Sequence, residues 1–160
     1  MGSVAAEGEA AGLGLTGRWA ALPRASAGER AGQAATLVVL VGLIGLGLAL
    51  LPSPTGAGTH TQVGLPPCGM LETTGLPCPT CGVTTAFCQT AHGRPAEALV
   101  TQPFGLTMFL LVAGGALGLA AALVTGRSVS PLVTPWRIAT AGMALMLLLL
   151  GSWTYKLATV

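Results

Sequence analysis

Three stretches of the chain are apolar at nearly every position, so a helix built from any of them would have no polar face. They are residues 34–51 (AATLVVLVGLIGLGLALL), 104–124 (FGLTMFLLVAGGALGLAAALV) and 138–155 (IATAGMALMLLLLGSWTY). A helix on the surface of a soluble domain keeps a polar stripe, whereas roughly 20 consecutive apolar residues span a hydrocarbon core. The pattern predicts an all-α membrane protein with three transmembrane helices. Pro52 closes the first run, Pro103 precedes the second, Gly126-Arg127 follows it, and Arg137 precedes the third. The first run exceeds the apolar region of about 7–15 residues found in a cleaved leader, so it is expected to remain as a span.

Composition strengthens this reading. Of 160 residues, 52% are hydrophobic and 8% charged, with a mean hydropathy of +0.75. A soluble domain carries about 25% charged residues. The net charge of +2, without a basic cluster, gives no footprint for nucleic acid. The lipid bilayer is the partner this composition implies, and a membrane-protein partner or a second copy of the chain is compatible with it. No Asp, Glu, Lys or Arg lies inside the three runs. Intramembrane charges serve ion coupling in pumps and transporters, so active transport is disfavoured. Gly114 and Gly118, four residues apart, are expected to let spans approach closely.

Basic residues orient the spans. Arg18, Arg24 and Arg30 precede the first, Arg127 and Arg137 flank the short second connection, and the long connection 52–103 has Arg94 alone. Lys and Arg are retained on the cytoplasmic side. The expectation is a cytoplasmic N-terminus, an extracytoplasmic loop over 52–103 and an extracytoplasmic C-terminus. Residues 1–33, rich in Ala and Gly, read as a flexible cytoplasmic tail, and residues 34–160 as the membrane domain. A short interfacial helix around Leu13 to Leu22, with Trp19 at the headgroups, is the alternative for part of the tail. Trp136, Trp153 and Tyr155 read as interfacial anchors.

The long loop holds the candidate chemistry. All four cysteines lie there: Cys68, Cys78, Cys81 and Cys88. Pro66, Pro67, Pro77 and Pro79 keep the approach out of a helix. After Pro79, the spacing of Cys81, Thr84, Thr85, Cys88 and His92 predicts a short helix with Cys81 in its first turn and Cys78 just ahead. A helix N-terminus there would lower a thiol pKa. Gly93 ends that helix, and Arg94-Pro95 opens another short turn, PAEALV.

The string from Cys68 through TGLPCPTCGVT resembles a family of small prokaryotic membrane proteins of unknown function, DUF2752. The matching positions are Cys68, Thr74, Gly75, Cys78, Pro79, Cys81, Gly82 and Thr84, and the likeness covers about residues 65 to 125. Thr85 stands where that family usually has arginine, and Gln102 where it has asparagine before Pro103. The resemblance implies a multi-span protein with the motif in a loop, and it brings no activity.

Three chemistries fit the cysteines. Disulfides could staple the loop in an oxidising compartment. A metal, zinc in first place, could bind Cys68, Cys78 and Cys81 with Cys88 or His92. Cys78 and Cys81 could form a thiol redox pair. The proline and glycine framing predicts that Cys78 and Cys81 act as a unit with Cys68, while Cys88 lies two helical turns below. His60 reads as a solvated histidine, and Glu72 and Glu97 as loop carboxylates that nothing in the sequence holds together as an acid/base pair. No phosphate-binding glycine loop, Ser-His-Asp set or zinc-protease signature is present, so the sequence gives no support for an enzyme. The function these features predict is a structural or accessory membrane module with a cysteine loop held by disulfide or metal. Thiol redox or metal handling through Cys78 and Cys81 is the alternative.

Overall fold

The computed structural model describes residues 15–159. Of the expected flexible tail 1–33, residues 1–14 lie outside that range, whereas 15–20 and 27–33 are helical. The described elements are α1 (Leu15–Ala20), α2 (Ala27–Ala49), a 3-10 turn (Thr59–Val63), α3 (Gly69–Thr74), α4 (Val83–Ala91), α5 (Pro95–Thr101), α6 (Pro103–Thr125), a second 3-10 turn (Ser130–Leu132) and α7 (Pro135–Thr159). All regular elements among the described residues are helical. Helices α2, α6 and α7 are long and apolar enough to cross a membrane. The chain is a multi-pass membrane protein by this measure, with the cysteine loop between its first two spans.

Helix α2 begins at Ala27 rather than at the start of the apolar run. Ser26 and Glu29 form a capping box: the Glu29 N–H donates to Ser26 Oγ at 3.2 Å, and the Ser26 N–H donates to Glu29 Oε2 at 2.8 Å. The resulting 23-residue helix is about 35 Å long, longer than the apolar run it contains. Helices α6 and α7 each open on a proline, whose missing N–H costs nothing at that position. Helix α6 stops at Gly126, which has a φ of 68°.

One end of the bundle is tied by the short connection. Ala25 donates to Gly126 O at 3.0 Å, Ser128 N donates to Pro23 O at 2.8 Å, and the Arg127 guanidinium donates to Leu22 O at 2.6 Å. The Glu29 carboxylate accepts from both Ser128 Oγ and Ser130 Oγ. The protein-buried core lies at the other end, where α4 packs on the C-terminal part of α2 and the start of α6. Ala86, Cys88, Ala98, Thr59, Thr85 and Gln102 are buried there. Many apolar side chains along the spans, Leu43, Leu48, Leu111, Leu117 and Leu147 among them, stay exposed, as suits a lipid-facing surface.

Close helix approach occurs at glycines other than those expected. A Cβ at Gly105 would lie 2.6 Å from Val83 O and 2.8 Å from Ala86 Cβ, and one at Gly47 would meet the Phe87 ring at 2.8 Å. Gly115 faces Leu40, while Gly114 and Gly118 have nothing within 4 Å. The expectation for that pair was wrong because the α2–α6 contact runs along a neighbouring face. The close glycines sit where the loop helix α4 presses on the spans, and the Phe87–Phe109 edge-to-face pair fills the gap beside them.

Candidate functional site: a three-thiol turn

Cys68 caps the N-terminus of α3 from an extended backbone conformation. Helix α3 ends at Gly75, whose φ of 72° reverses the chain, and Leu76-Pro77 leads it back. Residues 78–81 then make a turn closed by the Cys81 N–H on Cys78 O at 3.0 Å. This path converges the three sulfurs: Cys68, Cys78 and Cys81 Sγ all lie within 4.8 Å of one another. Cys78 and Cys81 Sγ are 3.2 Å apart, and Thr80 Oγ1 is 3.3 Å from Cys78 Sγ.

The turn is held from outside by three residues on other elements. The Trp153 indole N–H donates to Pro77 O at 2.9 Å, the buried Gln102 amide to Pro79 O at 3.1 Å, and the Lys156 ammonium to Cys81 O at 2.9 Å. Lys156 also reaches Gly56 O at 3.4 Å and Thr101 O at 3.5 Å. Gly82 is required twice over. Its φ is 88°, and a Cβ would lie 2.7 Å from Gly56 O and collide with the Lys156 ammonium.

The helix after the turn starts at Val83, with Gly82 as its cap. The expectation that Cys81 lies in its first turn is therefore corrected: a left-handed Gly82 cannot continue a right-handed helix. Cys81 receives no help from the helix terminus. Burial pushes its thiol up to about 12, with its hydrogen bonds to Cys78 and Cys68 acting in the same direction. The lowered thiol is Cys68, held at about 7 by the Leu71 backbone N–H first and by the Cys81 and Cys78 thiols second.

A cavity of about 550 Å³ opens beside the cluster, lined by all three cysteines with His60, Leu65, Leu71 and Glu72 among its walls. His60 Nε2 is 3.1 Å from Pro66 O. Cys88 is apart from this site. It is buried on α4 against an apolar groove with Leu46, Leu50 and Phe87, and burial raises its pKa. His92 is exposed at the end of α4, where its Nδ1 meets Cys88 O at 2.8 Å. Glu97 pairs with Arg94 and does not face Glu72 across a site.

Thr85 is fully buried and shares a 2.9 Å hydroxyl contact with Thr59. Sequence reasoning missed Trp153 and Lys156 as parts of the site. The sole signal was their place at the end of the third apolar run, where an indole and an ammonium read equally well as membrane-surface anchors. No curated protein and no solved structure matches the chain. Residues 68–116, from the first cysteine of the cluster to the middle of α6, match the family described as "Protein of unknown function (DUF2752)", the family that the cysteine motif resembles.

Proposed function

We propose that this protein is an accessory membrane module whose cysteine loop holds a thiophilic divalent ion, zinc in first place, through Cys68, Cys78 and Cys81. The observation that carries this reading is the mutual approach of three sulfurs within 4.8 Å. A disulfide uses two of them and strands the third, whereas a metal uses all three. A site built on thiolates binds ions of zinc's class in preference to hard cations. The Lys156 ammonium beside Cys81 offsets part of the negative charge of three thiolates.

The loop belongs on the extracytoplasmic side in this proposal. Its support is the arginine asymmetry, together with the grouping of Arg24 and Arg127 at the end of the bundle away from the cysteine turn. A second reading, a dithiol–disulfide pair at Cys78 and Cys81, is favoured by their 3.2 Å sulfur separation. Native mass spectrometry of the detergent-purified protein, combined with alkylation after denaturation, separates the two. The metal reading expects one bound ion and four alkylatable thiols. It also expects the ion to be lost in Cys68→Ser, Cys78→Ser and Cys81→Ser and kept in Cys88→Ser. A metal-free chain lighter by two protons, with two thiols alkylatable, would establish the disulfide instead.

A further inference from the structure

Zinc in a structural site has four protein ligands, whereas a site with three protein ligands leaves the fourth position to an outside group. The cysteine turn gives three. Among the described residues, no His, Asp or Glu donor joins the three sulfurs within the same 4.8 Å. Cys88 lies against the apolar groove on α4, and His92 is at the far end of that helix. His60 Nε2 is occupied by Pro66 O. All three cysteines line the 550 Å³ cavity, so an incoming donor reaches the cluster from there.

We propose, resting on the metal reading above, that the centre is open and takes an exogenous thiolate as its fourth ligand, so that it exchanges metal with thiol carriers. The chemistry follows from the surroundings. A soft donor matches the three thiolates already present. Leu65, Pro67 and Leu71 in the cavity wall suit a carbon chain behind that donor better than a fixed water. The incoming thiol gives its proton to solvent as its sulfur binds the ion, and no electron is transferred. With four thiolates on a divalent ion the centre carries two negative charges, of which the Lys156 ammonium offsets one. Displacement of Cys68, and then of Cys78 and Cys81, by further carrier thiolates, each protein sulfur taking a proton from solvent as it leaves, would then pass the ion outward. Cys68 is the ligand placed to leave first, since it sits on the short helix α3 while the turn bearing Cys78 and Cys81 is held by Trp153, Gln102 and Lys156.

Cobalt(II) substitution in detergent micelles tests this, because sulfur-to-cobalt charge transfer reports the number of bound thiolates. The expected result is one Co²⁺ per chain in thiol-free buffer. Saturating 2-mercaptoethanol or glutathione should then raise the charge-transfer absorbance by about one third, as three thiolates become four. His60→Ala and Glu72→Gln should leave the thiol-free spectrum unchanged. An absorbance indifferent to added thiol, or a thiol-free spectrum altered by either variant, would mean a closed site and overturn the open centre while sparing the metal reading. Failure to bind Co²⁺ or Zn²⁺ at all would overturn both.

Discussion

At the scale of single residues, the unequal acidity of the cluster makes a measurable ordering. Cys68 has its pKa at about 7 and Cys81 at about 12. In the metal-free, reduced protein, alkylation by iodoacetamide should start at Cys68, its rate rising as the pH passes through about 7. Peptide mapping should find Cys81 and Cys88 modified last. The same shift acts on stability. A thiol lowered from 9.0 to about 7 on folding contributes stabilisation that is complete above 9.0 and is lost as the pH falls through about 7. Gly82→Ala tests the turn: the left-handed backbone alone costs about 1–3 kcal/mol for a residue with a Cβ, and the contacts with Gly56 O and Lys156 add to it. The melting temperature in detergent should fall and metal should be retained less well. The convergence of Cys68 with Cys78 and Cys81 was legible from the prolines and glycines that frame them, because that geometry is local. The burial of Cys81 was not, since Lys156, Trp153 and Gln102 come from elsewhere in the chain.

At the scale of elements, the spans separate glycines that pack from glycines that do not. Gly105→Ala should lower the detergent melting temperature, because overpacking costs about 1–3 kcal/mol and the neighbour is the Val83 backbone. Gly114→Leu and Gly118→Leu should leave the melting curve unchanged, since both positions open onto space. Spacing alone could not tell these glycines apart, because every face of an apolar span looks alike until its partner is known. The N-terminal limit of α2 had a legible signal in Ser26 and Glu29. The charged residues around it masked that signal, since a search for apolar runs begins only where charge ends. Ser26→Ala should cost about 0.5–2 kcal/mol by removing the cap.

At the scale of the whole molecule, α7 is joined to the rest chiefly at its C-terminal end. The Phe104 N–H donates to Ser152 Oγ at 3.0 Å, Trp153 holds Pro77 O, and Lys156 holds Cys81 O. Lys156→Met should weaken zinc retention against a competing chelator by about tenfold, a loss of about 1.4 kcal/mol, while the chain keeps its helical circular dichroism. Orientation is checked on intact cells: after reduction, a membrane-impermeant maleimide should label the loop thiols, and labelling that needs opened cells would put the loop in the cytoplasm.

The reach of Trp153 and Lys156 back to the cysteine turn also sets an order of assembly. A chain is synthesised from its N-terminus, so residues 68–81 are made well before the helix that fixes the carbonyls of Pro77 and Cys81. During that interval the carbonyls of Pro77 and Cys81 lack the indole and the ammonium that hold them, and the three thiols are more open to oxidants and to mispairing with Cys88. Docking of α7 is therefore the event that completes the site, and a nascent chain arrested before Ser152 should carry more oxidised cysteine than a chain that includes α7.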